Sequence, residues 1–225
     1  DAVIENLTVA GEIAAGYNVG GIVGYSAGAT IRNCVNEAEI MTGSTSAYGT
    51  YGTGGIAGVY VNTDKTGVHA VENCVNKGEI KAGYTSATGI SKISFGGIIG
   101  AVYNSSRNVT VSGCRNEGSI NEVPSSAGVA GIVGYIYTSE VALEDCVNRG
   151  DISAMGTGSN GYNGVGGIAG FYAGHSANDA VNTVERCENT GNISGRDASY
   201  AATGGIVGQA ESTVTVEQCF NKGEV

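Results

Sequence analysis

Apolar and small residues recur along this chain at fixed offsets from its six cysteines, with the alternation of a β-strand that has one buried face. The cysteines, Cys34, Cys74, Cys114, Cys146, Cys187 and Cys219, lie 32 to 41 residues apart, one in each copy of a repeated unit. Two residues after each comes an asparagine: Asn36, Asn76, Asn116, Asn148, Asn189 and Asn221. Four residues after come Gly78, Gly118, Gly150, Gly191 and Gly223, with Ala38 in the first copy. Six residues after come Ile40, Ile80, Ile120, Ile152, Ile193 and Val225. The odd offsets share no chemistry; one residue past the cysteine the copies carry Val35, Val75, Arg115, Val147, Glu188 and Phe220. A period of two, uniform on one side and free on the other, predicts a strand whose even positions face a core.

A second block predicts another strand. Gly20 to Gly24, Gly54 to Gly58, Gly96 to Gly100, Ala130 to Gly134, Gly166 to Gly170 and Gly204 to Gly208 all read G/A-G-I-(V/A/I)-G. Repeated glycine inside a strand indicates a bend or a close backbone approach. A third strand holds Ile31, Val71, Val111, Leu143, Val184 and Val216, three residues before each cysteine. That odd offset requires a bend or bulge if both positions point inward, as at the corner of a coil. The joints between the glycine block and the cysteine vary in length; Asn62 to Gly67 is a polar insertion that the first copy lacks, which places these joints in surface loops.

One such coil cannot bury its own inner face, so the copies must stack. The expected fold is all-β: a parallel β-helix, or β-solenoid, right-handed, with about six full coils. Ile4, Leu7, Val9, Gly11 and Ile13 add a partial N-terminal coil, with leucine replacing cysteine and valine replacing asparagine. Residues 1–225 form a single repeat domain. Val225 falls on a core position with nothing polar after it, so the chain is expected to be a fragment of a longer protein.

Stacking gives the repeated polar residues a purpose. With coils about 4.8 Å apart, each asparagine amide can donate to the carbonyl of the next, whereas a lone buried amide costs about 1–3 kcal/mol. The cysteines are expected to be free core thiols, because parallel Cβ vectors do not converge on a disulfide. Three residues past the cysteine, Glu37, Lys77, Glu117 and Arg149 alternate in sign and become lateral ion pairs in a stack.

Composition narrows the chemistry. One proline and 39 glycines spread evenly describe one continuous body, and the regular apolar positions distinguish it from a disordered glycine-rich segment. A net charge of −10, with 11 scattered Lys and Arg, leaves no basic stripe for nucleic acid or anionic lipid. No apolar run approaches the roughly 20 residues needed to span a bilayer, so no membrane insertion of this chain is expected. At Asp1 there is no charged segment followed by an apolar one, so a secretory signal is absent or already removed.

Candidate sites meet plain structural explanations. The cysteines are too dispersed for zinc, and the two histidines, His69 and His175, are placed in loops; no metal or cofactor is expected. Gly24-Tyr25-Ser26-Ala27-Gly28 spells a nucleophile elbow, but no helical periodicity follows it. Arg149-Gly150-Asp151 spells an integrin-type tripeptide in the slot that Lys77-Gly78-Glu79 and Lys222-Gly223-Glu224 occupy elsewhere, which makes it repeat sequence. Glu39, Glu79, Asp151 and Glu224 form an acidic stripe read as a solvated face. Tyr25, Tyr60, Tyr103, Tyr135, Tyr137 and Tyr172 follow the glycine block; they either form an aromatic stripe for sugar rings or protein partners, or stack to cover a sheet face.

The repeated G-G-I-x-G followed by N-C-x-N-x-G-x-I resembles the GLUG-motif repeats of bacterial secreted and surface proteins, with Ile where the motif has Leu. The resemblance covers nearly the whole chain. Members occur in adhesin-like proteins and beside the protease domains of some immunoglobulin A endopeptidases. It implies an extracellular or cell-surface location and a non-catalytic role in adhesion or spacing, with surface glycans or glycoproteins as partners, and it transfers no catalytic residue. Two alternatives stand beside it: an accessory domain of a secreted IgA-type protease, and a carbohydrate-active β-helix enzyme. A β-propeller is disfavoured by the drifting period and the absence of tryptophan, and a leucine-rich repeat by the longer period.

Overall fold

The chain is a stack of short parallel strands arranged in five sheets, seen here in a computed structural model. The structure describes residues 2–43, 50–61, 69–83, 92–103, 109–125, 127–137, 140–156, 163–173, 182–196 and 201–225. The second coil shows the plan: Thr50–Gly54, Ala57–Val61, His69–Glu72, Val75–Asn76 and Ile80–Ala82, each pairing with its counterparts in the coils on either side. In chain order these strands belong to the first through fifth sheets. The N-terminal partial coil supplies Val3–Glu5, Thr8–Val9 and Glu12–Ala15 to the third, fourth and fifth sheets. At about 4.8 Å per step, the seven strands of the third sheet span about 29 Å.

Five strands per coil replace the three expected. The glycine block is not one strand but the junction of two: Gly54 ends the first sheet, Gly55 and Ile56 turn, and Ala57 begins the second. The cysteine segment is likewise cut, into a two-residue strand at Val75–Asn76 and another from Ile80, with Gly78 between them.

The bend required between the aliphatic position and the cysteine is a single left-handed residue. Asn33, Asn73, Gly113, Asp145, Arg186 and Gln218, each directly before the cysteine, have φ between 51° and 60°, and Asn6 before Leu7 has φ 58°. Asparagine, aspartate and glycine tolerate this region; arginine and glutamine do so at a cost of about 1 kcal/mol. Arg186 has compensation, since its guanidinium lies on Asp145 of the coil before, with Nε to Oδ1 at 2.8 Å and Nη2 to Oδ2 at 3.0 Å. Gln218 is exposed, and Gln218→Gly is expected to raise stability by up to about 1 kcal/mol in urea unfolding; a loss of stability would count against the strain.

Three buried clusters result. The largest fills the space between the second and third sheets and contains Ile56, Ile98, Val71, Val111 and the cysteines. A second lies between the first and fifth sheets, with Ile80, Ile120, Phe95 and Val129. A third, on the outer side of the second sheet, holds Val59, Ala101, Ala127, Tyr135 and Phe171. Outside, the expected charge column forms: Lys77 Nζ sits 2.8 Å from Glu37 and Arg149 sits 3.8 Å from Glu117. These pairs are exposed and screened by solvent, so they add little to stability. Among the described residues no helix is long and apolar enough to cross a membrane.

Candidate functional site

The polar interior of the coil is a column of asparagines. Each Nδ2 donates to Oδ1 of the next coil's asparagine: Asn36 to Asn76, Asn76 to Asn116 and Asn116 to Asn148 at 2.8 Å, Asn148 to Asn189 at 2.6 Å, and Asn189 to Asn221 at 2.7 Å. The same nitrogen donates its other hydrogen to the carbonyl two residues on, such as Gly118 O at 2.9 Å. The five asparagines from Asn36 to Asn189 are fully buried, and within the ladder their amides are satisfied.

Across the coil the ladder lies flat on the second glycine of the other block. A Cβ on Gly131 would stand 2.1 Å from Cγ of Asn148, and on Gly97 2.3 Å from Cγ of Asn116. Only glycine leaves room for the amide there, so the two sequence blocks are halves of one contact. It separates the two interior cores, since Cys34 lies in one and Ile40 in the other, on either side of Asn36. Residues 15–41 match the GLUG motif.

That stretch is the copy in which the glycine block and the cysteine stand closest together; the other GLUG-like copies carry the same paired blocks with longer joints. No curated protein matches the chain. Its fold is similar to a crystal structure described as that of a "putative immunoglobulin A1 protease" from Bacteroides ovatus, with a TM-score of 0.56 and 21% identity over 93% of this chain and 67% of that one. At that identity the likeness is one of fold.

The cysteines form a second column beside the asparagines. All six are free, and five are buried. Each thiol donates to the carbonyl two residues before it, at 3.2–3.5 Å, and approaches a carbonyl of the coil below, as Cys146 approaches Val111 O at 3.4 Å. Burial pushes the Cys34 and Cys114 thiols up from their usual range, and a hydrogen bond with Cys146 followed by burial does the same for Cys187. All six thiols are hydrogen-bond donors to backbone carbonyls, with the character of weak core donors.

The six tyrosines do not share one face. Tyr60 and Tyr172 point inward and are fully buried in the largest core, so neither can touch a ligand on the surface. Tyr135 is buried in the outer cluster, and Tyr25 is 55% exposed in the same column. Tyr103 and Tyr137 are half-buried and pair laterally, their rings stacked at 5.3 Å and 13°. Tyr135 and Tyr137 stack at 6.0 Å, and Phe171 tilts against Tyr135 at 5.6 Å. Phe171, which the sequence reading passed over, is the aromatic that continues the outer column.

Tyr60 and Tyr172 share the interior column but differ in their hydroxyls. That of Tyr60 donates to the Ala29 carbonyl, whereas that of Tyr172 is buried without a hydrogen-bond partner among the described residues. Burial pushes both phenols above their usual range. Tyr60→Phe is therefore expected to cost about 1–2 kcal/mol, and Tyr172→Phe to be neutral or stabilising by up to about 1 kcal/mol. Urea unfolding of the two variants checks this; equal effects would refute it.

The remaining candidates resolve as follows. His69 is in a strand and 2% exposed, not in a loop, because its position continues an inward column with Val109 and Val141; Nδ1 lies 2.8 Å from the Gly28 carbonyl. His175 and the Asn62 to Gly67 insertion lie outside the described residues. Ser26 is within the strand Val23–Ala27, buried, and its hydroxyl accepts from Ala29 N at 3.3 Å, which is not the geometry of a nucleophile elbow. Gly150 of the Arg-Gly-Asp stretch is buried in the stack, and Asp151 accepts from Asn192 N at 2.8 Å. In the acidic stripe, Lys81 pairs with Glu39 and lies 3.9 Å from Glu79. Among the described residues no group of three or more His, Cys, Asp or Glu is placed to hold a metal ion.

Proposed function

We propose that this GLUG repeat solenoid works outside a bacterial cell as a non-catalytic module, a stiff spacer with an adhesive flank. The observation that carries the reading is the parallel register common to the five sheets, which directs the asparagine hydrogen bonds along the axis and makes a rod about 29 Å long from short strands; one register shift, between Ile120 and Val123, interrupts the fifth sheet. The buried amides are committed to that stack. The flank carrying Tyr103 and Tyr137 is the place for a surface glycan or glycoprotein to rest, with the tyrosine hydroxyls as the polar contacts. The test is binding of purified residues 1–225 to arrays of host glycoproteins and surface glycans, with Tyr103→Ala/Tyr137→Ala as the control. Binding weakened tenfold or more by the double substitution supports adhesion; release of sugar from a polysaccharide by the purified chain would overturn the non-catalytic reading.

A second reading is favoured by the fold likeness to the Bacteroides ovatus protein: an accessory domain of a secreted protease that acts on immunoglobulin A. Direct binding of immunoglobulin A1 to the purified chain, with no response to other glycoproteins, would select it over general adhesion.

A further inference from the structure

The cysteine column is more regular than core filling requires, because a small apolar side chain would fill the same positions. Six thiols follow one another at successive coils, with the residues beside them in register: Val35 with Val75, Val75 with Arg115, Arg115 with Val147, Val147 with Glu188, and Glu188 with Phe220. That register sets each cysteine directly over the next, one strand spacing of about 4.8 Å away. The surroundings are apolar side chains and backbone carbonyl oxygens, with the buried Tyr172 in the same core.

We infer that adjacent thiols of this column form two-coordinate sites for a soft, linear cation, each ion held by two neighbouring coils and each thiol serving one ion. Two metal–thiolate bonds of about 2.3 Å laid end to end span about 4.6 Å, close to the coil spacing of about 4.8 Å. Soft sulfur ligands select soft ions, and the carbonyl oxygens around each thiol turn their negative ends toward a cation held there. Binding replaces two S–H protons, released to solvent, by one divalent ion bonded to both sulfurs, so the buried column stays neutral and no electron is transferred. A monovalent ion would leave one negative charge per site in an apolar core, which disfavours it. The ion class is therefore divalent and linear, and mercuric ion is the probe.

Pairing between coils makes a prediction about stoichiometry. Six thiols in line hold three ions: Cys34 with Cys74, Cys114 with Cys146, and Cys187 with Cys219. Removing two neighbours, Cys34→Ala and Cys74→Ala, leaves four thiols in line and two ions. Removing two alternate ones, Cys74→Ala and Cys146→Ala, isolates Cys34 and Cys114 and leaves one ion, between Cys187 and Cys219. The experiment titrates mercuric chloride into the full chain and both double variants. It follows the sulfur-to-metal absorption and the β-sheet circular dichroism, and X-ray absorption counts the ligands. Three, two and one ions, each with two sulfur ligands and an unchanged β spectrum, are expected. Two ions in both double variants, or uptake only with loss of the β spectrum, would show that thiols pair in an unfolded chain and overturn the inference. A variant that does not fold is replaced by its serine counterpart, for which the same counts apply.

Discussion

Asn116→Ala is expected to destabilise the stack by about 4 kcal/mol, whereas Asn221→Ala should cost less than about 1 kcal/mol. Asn116 sits in mid-ladder, where it receives a hydrogen from Asn76 at 2.8 Å and gives hydrogens to Asn148 Oδ1 at 2.8 Å and Gly118 O at 2.9 Å. Alanine removes all three bonds at once. It strands an amide hydrogen of Asn76, the side-chain oxygen of Asn148 and a backbone carbonyl, in a place with no exposed surface. Each stranded group costs about 1–3 kcal/mol, and water entering the vacated space returns part of it. Asn221 is exposed, so what its removal strands is met by solvent. Because each coil depends on its neighbours, the central loss also weakens the coupling between the two halves of the rod. Urea unfolding should give the difference between the variants, and hydrogen exchange should locate it in the coils around Asn116. Equal effects at the two positions would mean that the ladder contributes no more than its exposed end, and the cooperative reading would fail.

The register of that ladder was legible in the sequence, because a polar residue fixed at an even offset beside a fixed thiol has few explanations other than a stack. The free thiols and the alternating charges followed from the same register. The number of sheets was not legible: a two-residue strand such as Val75–Asn76 carries too few positions to show a period. The corner residue was half visible, since Asn33, Asn73 and Gly113 tolerate a positive φ, while Arg186 and Gln218 at the same slot conceal the pattern. The tyrosines carried a signal that grouping them by neighbourhood hid. Tyr60 and Tyr172 stand two residues after the last glycine of their blocks and point inward; Tyr25, Tyr103, Tyr135 and Tyr137 stand one or three residues after it and point outward. Parity along the strand decides the face, and nearness to the glycine does not. The contact between Gly97 and Asn116 could not be read at all, because it joins two blocks across the coil.

Gly118→Ala is expected to cost 3 kcal/mol or more, up to loss of folding, on the order of the largest overpacking effects. The added Cβ would lie 2.0 Å from the carbonyl oxygen of Gly78 and 2.7 Å from its carbon, both backbone atoms of the neighbouring coil. Relief needs a displacement of more than about 1 Å along the axis, where ladder spacing is held near 4.8 Å. Glu117 N and Gly118 N, bonded to Asn76 O at 2.7 and 3.2 Å, would be the first contacts to stretch. The first copy tolerates alanine at the equivalent position because the coil beneath it is built differently. Gly11 has φ +105°, and its carbonyl turns to accept from Glu39 N at 2.9 Å, so it does not stand under the Ala38 methyl. Ala38→Gly should then change stability by less than about 1 kcal/mol, mainly through the freedom gained by the unfolded chain. Thermal unfolding of the two reciprocal variants separates the effects. A Gly118→Ala protein as stable as the parent would show that coil spacing is loose enough to absorb a methyl group, and glycine at this offset would need another explanation.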